Sequence, residues 1–328
     1  MTEIYKADNL GGEADVTRYC LYPIRYEELW EAYRRHKQAF WVAEDIDFMA
    51  DRADWNKLSD NERYFIENVL AFFAGSDGIV LENLVTNFCA EVTIPEARCF
   101  YAFQAMIENI HAEVYSLMIE TYVTDPKKKT KLFEAIHEIP CVQKKAHWSL
   151  KWIQSTRPFG VRLFAFAIVE GLFFSGSFCA IFWLKERGLM VNSLGKSNEW
   201  IARDEGLHTQ FAILLYHTLG EKLDPVEAME MMREAVEIET EFICESLPVK
   251  LIGMNHVLMS RYIRCVADRL LQQFHLPKIY HESNPFPFME KISLDGKTNF
   301  FEQRVSEYSH VGKNGFQFDV LNLDDKDF

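Results

Sequence analysis

Apolar residues recur along the chain at helical spacing, and stretches that alternate in the manner of β-strands are few. The segment Ser59–Glu62 forms a capping box at the start of an apolar-periodic stretch that runs to about residue 92. Pro95 stands at a favourable first helical position for a second long helix, which ends near residue 123. Further helices are predicted over about 127–137, 141–154, 161–187, 197–219, 225–246 and 249–274. The pattern therefore predicts an all-α helical bundle.

Domain limits follow from where this pattern is interrupted. Gly188 and Gly220 each follow a predicted helix, and glycine is the usual residue just past a helix end. Residues 306–328 contain two glycines, four aspartates and no helical period, which is typical of a mobile acidic segment. We therefore expect residues 1–305 to form one folded domain, with 1–20 flexible, and residues 306–328 to form a flexible C-terminal tail.

One predicted helix is apolar enough to cross a membrane. Leu163–Leu184 is 22 residues long and carries a single charge, Glu170. A membrane span and a helix buried at the centre of a large bundle both fit this composition. We favour the buried helix because we find no second span, and because a lone buried carboxylate usually meets a cation.

Composition and charge restrict the partners that the chain can have. With 328 residues, of which 48% are hydrophobic, the chain can bury one large core. Its net charge of -14 repels phosphate backbones and anionic lipid, so we expect neither nucleic acid nor a membrane as a partner. The seven cysteines are scattered and form no C-x-x-C pair, which favours a reducing, cytoplasmic location. The N-terminus shows neither the basic region nor the apolar run of a secretory signal.

Two E-x-x-H pairs stand on predicted helices, Glu108–His111 and Glu205–His208. Residues three apart project from one face of a helix, so each pair offers an oxygen and an imidazole nitrogen to the same point. A single pair of this kind is usually part of the solvated surface. The recurrence of the pair within one chain is therefore more informative than either occurrence.

Each pair has a companion carboxylate on an earlier helix, Asp77 for the first pair and Glu170 for the second. Both companions lie among apolar helical neighbours, which are Phe73, Val80, Leu81 and Leu84 for Asp77 and Phe166, Ala167, Phe173 and Phe174 for Glu170. A hydrogen bond to a local donor could account for either carboxylate. Desolvating an unpaired carboxylate costs several kcal/mol, however, so two cases in one core indicate a shared cation.

The order of a carboxylate followed by E-x-x-H occurs twice, with separations of 31 and 35 residues. Ferritin-like di-iron and di-manganese proteins place their ligands on four helices in this manner. Mixed oxygen and nitrogen ligands suit iron or manganese better than zinc. The sequence therefore predicts a dinuclear metal site formed by Asp77, Glu108, His111, Glu170, Glu205 and His208.

Tyr115 lies four residues beyond His111, and hence on the same helix face one turn away. A core tyrosine usually packs with its hydroxyl hydrogen-bonded and has no further role. Beside an oxidising metal pair, however, this tyrosine is placed to lose an electron and a proton.

Several runs of consecutive residues resemble a known family. They are Ser76-Asp77-Gly78-Ile79-Val80, Ala97-Arg98-Cys99-Phe100-Tyr101, Glu108-Asn109-Ile110-His111 with Tyr115, Val169-Glu170-Gly171 followed by Phe173-Phe174-Ser175-Gly176-Ser177-Phe178, and Arg203-Asp204-Glu205-Gly206-Leu207-His208. These motifs resemble the small subunit of class I ribonucleotide reductases, of the eukaryotic and large-DNA-virus type. The resemblance extends from about Tyr22 to Phe328.

The resemblance implies a ferritin-like fold and a homodimer that works with a separate large subunit. It implies that the six predicted ligands bind two irons, and that O2 oxidises Tyr115 to a stable radical. Manganese is the less favoured metal. A phenylalanine at the radical position would indicate a manganese–iron variant, but this chain has Tyr115 there. Trp41 matches the electron-relay tryptophan of the family, and Asp204 matches the carboxylate that links it to a ligand histidine.

The resemblance also assigns roles in the tail. Tyr308 matches the tyrosine that passes the radical toward the large subunit, and the C-terminal sequence Leu323–Phe328 looks like the docking peptide of the family. Two other classes stay open on the sequence alone. A self-contained di-iron oxidase has no use for Trp41, Tyr308 and a docking tail. Iron-storage cages usually use chains of about half this length, and a scaffold paralogue should have lost metal ligands.

Overall fold

The structure is a computed structural model that describes residues 18–220, 222–246 and 249–290. All regular structure in these ranges is helical. The long helices, numbered here α1 to α10, are Glu27–Gln38, Asp60–Asn83, Pro95–Tyr122, Pro126–Phe133, Pro140–Ile153, Phe159–Ile168, Ser175–Glu186, Leu194–Leu219, Pro225–Thr240 and His256–Gln273. Shorter helical segments are Ala43–Asp45, Phe48–Asp51, Arg52–Lys57, Cys89–Glu91, Ala135–Glu138, Val249–Ile252 and Pro287–Glu290. The prediction of an all-α fold is confirmed.

The predicted helix ends agree with the structure where a capping residue marks them. The Ser59 hydroxyl accepts a hydrogen bond from the Glu62 N–H at 3.3 Å, and the Glu62 carboxylate accepts one from the Ser59 N–H at 2.8 Å. This reciprocal pair satisfies two free donors at the start of α2. Gly220 ends α8 with a φ of 64°, and Gly188 follows α7 with a φ of 74°. These left-handed conformations favour glycine, which explains why both positions could be predicted.

The first helix, α1, was not predicted from the sequence. Only Leu29 and His36 of its 12 residues are buried and most of the others are polar or charged, yet Leu29, Ala32, Tyr33 and His36 recur at helical spacing and could have indicated the helix. Acidic residues stand in its first turn and basic residues in its last, which stabilises the helix through its dipole. The helix packs against α3 and α8, and this packing brings His36 into the core.

Three predicted helices contain π-helical turns, which are Leu84–Phe88, Val169–Phe173 and Glu241–Ser246. The predicted helix over 161–187 is therefore α6, a π segment and α7 in succession. A π turn inserts a residue into the helical repeat, and such turns are frequent at functional sites. The segment Val169–Phe173 carries Glu170, so the irregular turn directs this carboxylate into the core.

The prediction that one helix alone is apolar enough to span a membrane is wrong. By length and composition two helices in the described part of the chain meet that criterion, Asp60–Glu91 and Phe159–Glu186. The most apolar window of the second is 100% buried within the protein, and that of the first is 56% buried. The acidic residues Asp60 and Glu62 cluster in the first turn of α2, which leaves a long apolar stretch beyond them. Burial inside the bundle explains the composition of the second helix, as we expected, and it accounts for about half of the apolar window of the first.

Helix pairs set the positions of the side chains in the core. Helix α2 packs along α3, and α8 packs against α1, α6 and α7. The faces that meet between these pairs carry the predicted metal ligands.

Candidate metal centre

The structure brings all six predicted ligands together at the centre of the bundle. Helix α2 supplies one carboxylate, α3 and α8 supply an E-x-x-H pair each, and the π segment after α6 supplies the last carboxylate. None of the six residues is more than 3% exposed. They form two overlapping groups whose ligand atoms lie within 4.8 Å of one another, Asp77 with Glu108 and His111, and Glu108 with Glu170, Glu205 and His208.

Two of the carboxylates face both histidines. The Nδ1 atom of His208 lies 3.0 Å from Glu108 Oε1 and 3.1 Å from Glu205 Oε2. The Nδ1 atom of His111 lies 3.4 Å from Glu108 Oε2 and 3.1 Å from Glu205 Oε1. Each carboxylate therefore presents one oxygen to each histidine, so Glu108 and Glu205 lie between the two histidines at the centre of the cluster.

Unpaired polar atoms at this centre fit a metal site. Asp77 Oδ2, His111 Nδ1 and Glu170 Oε2 are buried and have no hydrogen-bond partner among the described residues. The His111 Nδ1 atom lacks such a bond even though carboxylate oxygens lie close to it. Buried polar groups are costly without a partner, and a divalent cation bound by oxygen and nitrogen ligands would satisfy all three atoms.

Electrostatics at the centre reflect an excess of carboxylates. Burial, together with the charges of Glu108 and Glu205, raises the pKa of Asp77 well above its usual range. Burial alone would lower the pKa values of His111 and His208, but the surrounding carboxylates outweigh it and raise both. These raised pKa values reflect a concentration of carboxylate charge that bound cations would neutralise.

Asp204 links the candidate relay tryptophan to a predicted ligand. The Trp41 indole N–H donates to Asp204 Oδ2 at 2.7 Å, and His111 Nε2 lies 3.3 Å from the same oxygen. The other oxygen accepts hydrogen bonds from the Arg203 guanidinium at 2.9 Å and 2.6 Å. Although burial opposes it, the charge of Arg203 and the His111 hydrogen bond hold the pKa of Asp204 well below its usual range. A continuous hydrogen-bonded path therefore joins Trp41 to His111.

Tyr115 is buried beside the cluster, as the spacing predicts. It is 3% exposed, and its ring stacks on Phe73 with the ring centroids 4.7 Å apart. Burial and the nearby charges of Asp77 and Glu205 raise the pKa of the Tyr115 phenol well above its ordinary value. The phenol is therefore protonated at neutral pH and lies within the field of the cluster.

Two polar residues at the centre were missed in the sequence. The Gln104 side-chain amide donates to Glu170 Oε1 at 3.3 Å and to Glu108 Oε1 at 3.5 Å. It lies one turn before Glu108 on α3, so helical spacing could have indicated it. His36 Nε2 lies 3.3 Å from His208 Nε2, and burial together with the His208 ring lowers the pKa of His36. No spacing rule relates it to the ligands, because it reaches them from α1.

The predictions for Tyr308 and the tail fall on residues 306–328, which lie outside the described residues. The division of the chain at residue 305 lies outside them as well.

A helical bundle around four buried carboxylates and two histidines defines the chain as a ferritin-like protein with a candidate dinuclear metal site. The family model "Ribonucleotide reductase, small chain" matches residues 18–285. The chain belongs to this family, and the resemblance noted in the sequence is confirmed.

Individual relatives agree with this assignment. The chain is 60% identical over 296 residues to the ribonucleoside-diphosphate reductase small subunit of Dictyostelium discoideum, covering 90% of this chain and 87% of that protein. It is 54% identical over 308 residues to the small chain from Vaccinia virus, covering 92% and 96%. Among solved structures, the ribonucleotide reductase Rnr4 homodimer from Saccharomyces cerevisiae is 40% identical, with a TM-score of 0.78 and coverage of 89% and 90%.

Proposed function

We propose that this chain is the small subunit of a ribonucleoside-diphosphate reductase. The subunit would form a radical on a tyrosine and pass the oxidising equivalent to a separate large subunit, which reduces ribonucleotides to deoxyribonucleotides. Membership of the small-chain family supports the reaction class. The observation that carries the proposal is the set of six buried ligand atoms, three of them without a hydrogen-bond partner among the described residues, beside a buried tyrosine.

The six residues that would hold two irons are Asp77, Glu108, His111, Glu170, Glu205 and His208. Glu108 and Glu205 would lie at the centre of this ligand set, because each presents its two oxygens to the two histidines. Iron is the metal we propose, and manganese offers a second choice for the same donor set. With O2 as the oxidant, the bound irons would supply the one-electron oxidation of Tyr115.

Tyr115 holds the oxidising equivalent in this proposal. Its phenol is protonated before the reaction, so its oxidation to a neutral radical must release a proton as well as an electron. Burial against Phe73 keeps water and external reductants from the ring. Because water and reductants are excluded from the ring, a radical formed on Tyr115 is favoured to be long-lived rather than transient.

Trp41 would carry electrons between the metal site and the large subunit, and Asp204 would link this tryptophan to the ligand histidine His111. The hydrogen bond from the indole N–H to Asp204 and the contact of Asp204 with His111 give a path of 2.7 Å and 3.3 Å steps. Asp204 accepts a proton poorly because Arg203 holds its charge, so it fixes the geometry of its two neighbours. Tyr308 would continue this path in the tail, supported by the sequence motif around it.

Partners and location complete the proposal. The yeast relative is a homodimer, which supports a homodimer here. The C-terminal tail would dock on the large subunit, and the protein would work in the cytoplasm, in keeping with its scattered cysteines. A self-contained oxidase is the second candidate for the same metal site, but family membership favours the reductase.

The test is electron paramagnetic resonance after ferrous iron and then O2 are added to the apoprotein. We expect a tyrosyl doublet in the wild type and none in Tyr115→Phe, with two irons bound in each. Tyr101→Phe is the matched control, since Tyr101 is also fully buried and senses the charge of Glu170. Loss of the signal in Tyr101→Phe and its survival in Tyr115→Phe would reverse the assignment.

A further inference from the structure

The two candidate ligand histidines have different partners behind them. His111 turns its Nε2 atom toward the carboxylate of Asp204, at 3.3 Å. His208 turns its Nε2 atom toward another imidazole, that of His36, at the same distance of 3.3 Å. The two halves of the metal site are therefore unlike in a way that the repeated sequence motif does not indicate.

The proton on this second contact can be located from the geometry. The Nδ1 atom of His208 lies 3.0 Å and 3.1 Å from the carboxylates of Glu108 and Glu205, so a bound cation would take the lone pair on Nδ1. The ring proton of His208 must then stand on Nε2, where the nearest acceptor is His36 Nε2. His36 accepts that hydrogen bond only as the tautomer that carries its own proton on Nδ1, an atom that is buried and has no hydrogen-bond partner among the described residues.

Packing holds the His36 ring in this position. His36 is 1% exposed, and its ring lies between Phe100, at 5.0 Å between centroids, and Phe103, at 4.7 Å. The Phe103 ring meets it edge-on, at an interplanar angle of 81°. A side chain enclosed in this manner cannot turn away from His208 without opening the contact between α1 and α3.

We propose that His36 is a positioning residue for the metal site, which fixes the tautomer and ring orientation of His208 and makes the two metal positions inequivalent. The inference rests on the proposed metal site. A histidine hydrogen-bonded to a carboxylate is a stronger electron donor to its metal than one hydrogen-bonded to a neutral imidazole. The two histidines therefore differ in donor strength, and the ion beside His208 depends on His36.

The experiment compares variants of the full-length apoprotein titrated with ferrous iron in the absence of oxygen. His36→Phe keeps a ring of similar shape but removes both nitrogens, and His36→Gln retains a hydrogen-bond acceptor. His36→Leu is a second apolar variant in case the phenylalanine does not fit. Phe103→Leu is the control for packing, because it disturbs the pocket of His36 and leaves its nitrogens in place. Chelator competition measures the affinity of each ion, and Mössbauer spectroscopy reports the environment of each iron.

In His36→Phe and His36→Leu we expect one of the two ions to bind about 10–100-fold more weakly, since loss of such a partner has this effect in other metal sites. One iron environment should change while the other keeps its wild-type parameters. His36→Gln should recover most of the affinity, and Phe103→Leu should bind both ions as the wild type does.

Unchanged binding of both ions in the two apolar variants would overturn the role of His36, as would an equal loss in Phe103→Leu or an equal change at both irons. Those outcomes leave the metal site itself intact. A wild-type protein that binds fewer than two ions would instead contradict the proposed function.

Discussion

The Lys145 ammonium lies 2.5 Å from the Glu239 carboxylate, and neither residue is more than 1% exposed. The same ammonium donates to the Phe173 carbonyl at 2.6 Å, at the end of the π segment that carries Glu170. The other oxygen of Glu239 accepts a hydrogen bond from the Gly176 N–H at 3.2 Å. The ion pair therefore fastens the chain on the C-terminal side of the irregular turn, where the helical hydrogen-bond pattern is interrupted.

Removing one partner of this pair should cost far more than removing a surface pair. Lys145→Met leaves the Glu239 carboxylate buried without its cation, and we expect the free energy of unfolding to fall by about 3–5 kcal/mol. Denaturant unfolding measures the change. Lys151→Met is the control, since Lys151 pairs with Glu234 at 3.4 Å on the surface and should cost at most about 1 kcal/mol.

The double variant Lys145→Met with Glu239→Leu should recover most of that loss, because it leaves no unpaired charge in the core. A loss in Lys145→Met no larger than that in the Lys151 control would contradict the account of the buried pair.

The Glu239 carboxyl should also make stability depend on pH. Burial raises its pKa from 4.5 to about 7, although Lys145 opposes the shift. A folded state with the higher pKa holds a proton that the unfolded state releases, so this contribution is present below about pH 4.5 and is lost as the pH rises through 7.

We expect the stability of the wild type relative to Glu239→Gln to fall by on the order of 3 kcal/mol across that range. Denaturant unfolding of both proteins at a series of pH values, with equal metal content, checks the slope. A difference between the two that is constant with pH would show that Glu239 does not titrate in this window.

Glu170 separates metal binding from folding. Glu170→Ala removes one carboxylate from the cluster but no large apolar group from the core, so we expect less bound iron with the helical circular dichroism largely unchanged. Gln104→Ala provides a comparison, because Gln104 donates to Glu170 and would not itself bind the cation. At saturating iron its iron content should stay close to that of the wild type, although loss of the hydrogen bonds to Glu170 and Glu108 should lower the affinity. Normal iron content in Glu170→Ala would remove this glutamate from the ligand set.

The sequence predicted those features that local chemistry specifies. The Ser59 capping box, the glycine after α8 and the pairs at Glu108 and Glu205 each depend on residues within one or two turns of helix. The spacing of these pairs was sufficient to expect all six ligands in one core, and the structure gathers them there.

Features that depend on contacts between distant segments could not be predicted in this manner. His36 lies on a helix whose buried face has two residues, and nothing in its neighbourhood relates it to His208. In the sequence Lys145 is one of several lysines on the amphipathic helix α5. Its burial depends on its ion pair with Glu239 of α9, which the local sequence does not indicate. The π turn around Glu170 leaves the apolar composition of its helix unchanged, so the periodicity continues through it without a signal.

The tail provides the test that separates docking from chemistry. Its sequence is acidic with spaced apolar residues, which are Phe316, Phe318, Leu321, Leu323 and Phe328. A segment of this kind can become ordered in a groove on a partner, at an entropic cost that keeps the affinity moderate. Deletion of residues 321–328 should therefore abolish binding to the large subunit and turnover, and leave the iron content and the Tyr115 radical signal unchanged.

Tyr308→Phe should behave differently from the deletion, because phenylalanine cannot pass on an electron coupled to a proton. Binding to the large subunit and the Tyr115 signal should persist, while turnover is lost.

A peptide of the last eight residues should compete with the intact chain for the large subunit, and a peptide of the same composition in scrambled order is the control. Binding assays, turnover and electron paramagnetic resonance on the same preparations distinguish the cases. If the truncated chain still binds the large subunit and supports turnover, docking does not depend on the tail. If no reductase large subunit yields turnover even with the intact chain, the self-contained oxidase becomes the better account of the same metal site.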